Sequence, residues 1–105
     1  MIEKVFHMTH SEEKTIEKVI QDDNIHYMHM ILAKGEGLPV HTTNANLYMT
    51  VLRGLLSLDL EESGAHVYEA GTILNIPFGI KMDARNAKDE TLEITVVKAP
   101  APKQG

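Results

Sequence analysis

Histidine is where this sequence offers chemistry, because it offers little else. The chain has six histidines and no cysteine in 105 residues. That removes disulfides, thiolate zinc sites and cysteine nucleophiles. His, Asp, Glu, Asn, Met and Tyr remain. His41 heads a polar run of Thr42, Thr43, Asn44 and Asn46. A few convergent polar groups in an otherwise apolar pocket make a small-molecule site, and an imidazole there can act as general acid or base near neutrality. The same run is ordinary turn chemistry, and a lone histidine among apolar neighbours is more often a packed one, its ring bonded to Thr43 or to backbone. His26 and His29 lie three apart in an extended pattern, so they occupy opposite faces of a strand and cannot chelate one ion together. If His29 is the inward one, it converges with His41, and an Asn or Tyr supplies a third donor. His7, His10 and His66 sit at a terminus or beside a hairpin and are expected in solvent. There is no GxSxG elbow, P-loop or HExxH.

Strands must position these groups. Ile16, Lys18 and Ile20 alternate, Asp22-Asp23-Asn24 supplies turn residues, and Ile25–Ala33 returns, which predicts a hairpin over about 15–33. The returning strand is apolar on both parities: Ile25, Tyr27, His29 and Ile31 against His26, Met28, Met30 and Leu32. A strand of that kind is covered on both faces, one by the barrel interior and the other by the N-terminal segment or a partner subunit. Leu47–Leu52 reads as a strand, with Tyr48 turned away from the interior. Leu56, Leu58 and Leu60 alternate with polar residues up to a turn at Glu62-Ser63-Gly64, and Val67-Tyr68 returns. Further strands are expected at Thr72–Ile76, with Asn75 at the barrel mouth, at Ile80–Ala84, and through Leu92, Ile94 and Val96. Residues 1–8 are expected to add a short first strand, so that 1–24 holds N-terminal strands and turns. Thr9-His10-Ser11-Glu12 has the form of a helix capping box, although turn and then strand is the preferred reading. Pro100 and Pro102 cannot donate to a ladder, and 99–105 reads as a tail.

Two glycine-framed stretches carry a resemblance. From Gly35 the spacing runs five residues to His41, one to Thr43, three to Leu47 and six to Gly54. From Gly71 it runs five to Pro77, one to Gly79, two to Met82 and three to Asn86. In spacing and order these resemble the two cupin motifs, G-x5-H-x-H-x3-E-x6-G and G-x5-P-x-G-x2-H-x3-N, and the chain is similar to the small single-domain cupins. The resemblance implies an all-β fold, a double-stranded β-helix or jelly-roll barrel of two antiparallel sheets. It also implies that His41, Thr43, Leu47 and Met82 stand where cupins hold a metal. Only His41 keeps its donor. One imidazole does not hold a first-row divalent ion at ordinary affinity, and Met82 is a packing residue or, at most, a soft thioether ligand. Asn86 would serve a turn.

Composition bounds the rest. At 105 residues the chain is a single domain, 1–105. With 43% hydrophobic and 24% charged residues it is of the soluble class, with no apolar run suited to a membrane helix and no secretory leader. A cytoplasmic location is expected. The formal charge of −5 and scattered basic residues argue against nucleic acid. Small cupins pair sheet against sheet, and a barrel of this size has a modest core, so a homodimer is expected. Fold does not determine function, and two readings stand. In the favoured one the barrel holds a small organic ligand without metal or other cofactor, through His41, Thr43, Leu47, Met82 and His29. In the alternative it is an enzyme, with Zn or Ni held by His41 and His29, or with His41 as a metal-free acid–base group.

Overall fold

Alternating strands of four to seven residues dominate this chain, and strands with one apolar face must bury it against another sheet. The computed structural model describes residues 1–103. Its nine strands are β1 (Thr15–Gln21), β2 (His26–Leu32), β3 (His41–Thr42), β4 (Leu47–Arg53), β5 (Leu55–Leu60), β6 (Ala65–Glu69), β7 (Ile73–Ile76), β8 (Lys81–Arg85) and β9 (Leu92–Lys98). They form two antiparallel sheets, ordered β1-β2-β9-β4-β7 and β3-β8-β5-β6. This is the two-sheet β-barrel that the motif frames imply. Among the described residues no helix is long and apolar enough to cross a membrane.

The inward faces close on one core. β4 sends in Leu47, Met49 and Val51, β9 sends Leu92, Ile94 and Val96, and β2 sends Met30 and Leu32. From the other sheet come Leu56, Leu58, Met82 and Ala84. Each fully buried side chain of this size stabilises the fold by about 1.5–3 kcal/mol. The turns follow the sequence: Asp22 Oδ1 accepts the N–H groups of Asn24 and Ile25 at 2.8 and 2.9 Å and so closes the β1–β2 hairpin. Gly54, between β4 and β5, has φ +80°, and a Cβ there would lie 2.4 Å from the Thr91 carbonyl oxygen. Both the backbone and the space demand glycine.

One expectation is corrected. Residues 1–8 form no strand; the segment runs over the surface, with Met1 and Ile2 fully exposed. An apolar residue type at intervals is not enough without an edge to pair with. Thr9–Glu12 caps no helix, in keeping with the preferred reading of turn and then strand, because Thr9 spends both its N–H and its hydroxyl on Glu17. The two-residue β3, pairing His41 with Met82 and Thr42 with Lys81, is too short to leave a periodic signal. The stretch after β9 folds back onto the barrel: Ala99 N–H donates to Asn46 O at 3.1 Å and Ala101 N–H to Asn24 O at 2.9 Å. Of the expected tail, 104–105 lie outside the described residues.

Candidate functional site

The four motif positions do not gather into one polar centre. Leu47 and Met82 are core residues, 1% and 3% exposed. Thr43 is buried, and its hydroxyl donates to Pro77 O at 2.7 Å and accepts the Ile80 N–H at 2.9 Å. Thr43 N–H also donates to Ile80 O, and Gly79 N–H to Thr43 O. Thr43 therefore clamps the 77–80 turn of the second motif to the first, which occupies its hydroxyl. His41 is exposed on the short strand β3, with Nδ1 against Pro39 O at 2.9 Å. The backbone bond expected for a packed histidine is present, but the ring is at the surface. One surface imidazole, one committed hydroxyl and two apolar side chains do not fit the nitrogen and oxygen donor set of a divalent transition ion.

His29 lies elsewhere. Met28, Met30 and Leu32 take the inward parity of β2, so His29 points out of the barrel with Tyr27 and Ile31. Convergence with His41, as ligand site or metal pair, is not met. The sequence left the parity of this strand open because both its faces are buried. His29 is fully buried all the same, since its ring sits between two carboxylates: Nδ1 contacts Glu17 Oε1 at 2.7 Å and Nε2 contacts Glu93 Oε2 at 2.5 Å. Each ring nitrogen therefore has one carboxylate oxygen as its partner.

This arrangement fastens the N-terminal segment. Glu17 accepts from Thr9 N–H and Thr9 Oγ1 at 2.8 and 2.7 Å. Glu93 accepts from Arg53 Nε at 2.8 Å, and the rest of the guanidinium donates to Glu12 Oε1 and Ser11 O at 2.8 and 2.7 Å. Residues 9–12 thus lie across the outer face of β1, β2, β9 and β4, over Ile31 and Thr95, which are buried. Between the two covers foreseen for this face, the chain's own N-terminal segment supplies one.

The other expected residues are quickly placed. His7, His10 and His66 are exposed, as foreseen, and Tyr48 is turned outward. Asn75 pairs with Tyr48 on that outer face, and its Nδ2 donates to Asn46 Oδ1 and Leu47 O, beside the loop that borders the open end. Asn86 performs its turn role while buried: Nδ2 donates to Leu32 O and Glu90 O, and Oδ1 accepts Lys88 N–H.

One of the concave surfaces among the described residues lies beside the loop 44–46. A cleft of about 570 Å³ is lined by Asn44, Ala45, Asn46, Phe78 and the returning segment Pro100–Lys103. Its walls are chiefly apolar side chains, and Phe78 is 71% exposed there. A smaller cavity of about 220 Å³ adjoins it, sharing Asn44, Pro102 and Lys103. Sequence reading singled out the polar loop 42–46 but not Phe78 or the tail, because nothing in a pattern shows that residues 100–103 return to this end.

Comparison with known proteins gives close and distant relatives. The chain is 35% identical to an uncharacterized protein of Methanocaldococcus jannaschii, MJ0764, over 99% of this chain and 90% of that one. The crystal structure of that protein, an RmlC-like cupin family protein with a double-stranded β-helix fold, matches with a TM-score of 0.92 over 95% of this chain and 93% of its own. A Thermus thermophilus protein at 21% identity, covering 91% of each chain, shares the fold with a TM-score of 0.76. So does a cupin superfamily protein of Desulfitobacterium hafniense at 10% identity, with a TM-score of 0.75 over 89% and 83% of the two chains. No protein-family profile matches the chain.

The Glu17 network sets an acid limit on stability. Hydrogen bonds from Thr9 N–H, from its hydroxyl and then from His29 lower the Glu17 carboxyl from 4.5 to about 2. A depressed folded value means the stabilisation is fully present above pH 4.5 and is lost as pH falls through about 2. Wild type should therefore melt higher than Glu17→Gln at neutral pH, and the gap should close between pH 4.5 and 2. A gap that stays constant in thermal melts across that range would show that Glu17 does not fasten the segment.

Proposed function

The chain belongs to the RmlC-like cupin family, and from that premise we propose that it binds a small organic ligand at the open end of its barrel without a metal. The observation that carries this reading is the apolar cleft beside Phe78, with the amides of Asn44 and Asn46 at its rim. A largely apolar concavity with few polar groups is the form small-molecule sites take. The interior is packed with Leu47 and Met82, so the ligand sits at the mouth, above Thr43 and the 77–80 turn. A cytoplasmic location is part of the same reading.

The enzyme reading gains less from the geometry. His41 is at the surface and outside the lining of the cleft, where an acid–base group would have no bound substrate to meet.

The same chain is read as a homodimer. The N-terminal segment exposes Met1, Ile2, Val5, Phe6 and Met8, and the outer face near β7 exposes Tyr48, Leu52 and Ile73. β7 is an edge strand of the larger sheet, with backbone groups that a second copy can meet. Two copies would cover apolar surface that one copy leaves in water.

Three measurements test these readings. Binding of the neutral fluorescent probe N-phenyl-1-naphthylamine should raise its emission, and Phe78→Ala should weaken binding several-fold; an unchanged affinity removes the cleft from consideration. Micromolar Zn or Ni should leave the melting temperature of wild type unchanged, whereas Thr43→His, Leu47→Glu and Met82→His together should make it rise with metal, since a ligand specific to the native state stabilises it by mass action. A rise in wild type that Met82→Leu abolishes would make the thioether a ligand. Light scattering should report about twice the 11.7 kDa chain mass; a monomer throughout the micromolar range refutes the pairing.

A further inference from the structure

The inward face of the larger sheet changes character at its open end. Along β9 the inward residues run Leu92, Ile94, Val96 and then Lys98; along β2, read backward, they run Leu32, Met30, Met28 and then His26. His26 and Lys98 are partners across the ladder, Lys98 is also the partner of Leu47, and Lys18 is the partner of Met28. The strand order therefore brings three basic side chains together from three strands. They line the 220 Å³ cavity with Gln21, Asn44 and Lys103.

The charge there is unusual for this molecule. Three of its ten lysines and arginines line this cavity, in a chain with a formal charge of −5, and no carboxylate lines it. Among the described residues Lys18, Lys98, Lys103 and His26 form no ion pair. Lys98 Nζ donates to the neutral Asn44 Oδ1 at 3.0 Å. Asp22 and Asp23 lie in the adjoining concavity with His26 and Lys103, but Asp22 Oδ1 is spent on its own hairpin turn. Burial first, and the Lys18 ammonium second, push Lys98 below the ordinary lysine value. Lys98 is half-buried beside the exposed Lys18, and an anion between the two ammonium groups offsets their repulsion.

We propose that this cavity is an anion site, in which Lys18, Lys98 and His26 hold the carboxylate or phosphate group of the ligand whose apolar part occupies the cleft beside Phe78. The inference rests on the small-molecule reading above and gives it a chemical class: an organic anion with a compact charged head and an apolar body. Asn44, Pro102 and Lys103 line both concavities, so one molecule can span them. Asn44, whose Oδ1 accepts from Lys98 Nζ, stands between the two parts.

The test uses probes that differ only in charge. Titration of the full chain with cyclohexanecarboxylate and with cyclohexylmethanol, followed by amide chemical shifts, should show the carboxylate binding roughly tenfold tighter or more, as charge-assisted contacts require. Inorganic phosphate should shift the amides of residues 18, 26, 44 and 98, and added chloride should weaken both anions. Lys98→Gln and Lys18→Gln should each reduce the carboxylate towards the alcohol, and both variants lie on exposed or half-exposed positions, with folding checked by the same spectra. Equal affinity of carboxylate and alcohol, or a carboxylate advantage that survives Lys18→Gln with Lys98→Gln, overturns the anion site and leaves the cleft standing. Phosphate bound at these residues with no binding of the alcohol removes the cleft and leaves the anion site.

Discussion

Burial of one apolar face per sheet into a shared interior is the constraint on which this molecule depends. Leu47, Met49, Val51, Leu92, Ile94 and Val96 from one sheet meet Leu56, Leu58, Met82 and Ala84 from the other. Each position is worth kilocalories in packing, whereas an unpaired carboxylate or imidazole there would cost a comparable amount or more. Leu47 and Met82 occupy positions where the motif frames place a glutamate and a histidine. Both side chains are part of that core, whose apolar rows give way to Lys98 and His26 at the end of β9 and the start of β2.

The outer face of the larger sheet is solved in a different way. His29, Glu17, Glu93 and Arg53 form one connected set of charges under the N-terminal segment, and no buried side-chain nitrogen or oxygen among the described residues lacks a partner. A buried imidazole flanked by two carboxylates is tolerable because both of its ring nitrogens have partners. The set joins four strands to residues 9–12, so it works as a fastening. It also explains why a histidine that reads as a ligand candidate is unavailable as one.

The two ends of Asn44 to Asn46 tie these ideas together. This loop follows β3, receives Ala99 N–H at the Asn46 carbonyl and Lys98 Nζ at the Asn44 amide, and borders both concavities at the mouth. Thr43 at its start fixes it to the 77–80 turn that presents Phe78.

Sequence by itself determined the strand class, the hairpins at about 15–33 and from Leu56 to Tyr68, the two motif frames with their missing donors, and the turn role of Asn86. These rest on local rules: period-two alternation, Asx and glycine turn chemistry, and fixed spacing. Only the tertiary structure decided the parity of β2, because a strand buried on both faces carries no sign of which is inward, and His29 fell on the wrong side as a result. It also decided that His41 is exposed, that residues 1–8 are not a strand, and that Lys18, His26, Asn44, Lys98 and Lys103 meet. Those five are spread over 86 positions, and their meeting depends on the order β1-β2-β9-β4 and on the return of the chain after β9. Such encounters are set by long-range hydrogen-bonded register, which no local pattern in the sequence encodes.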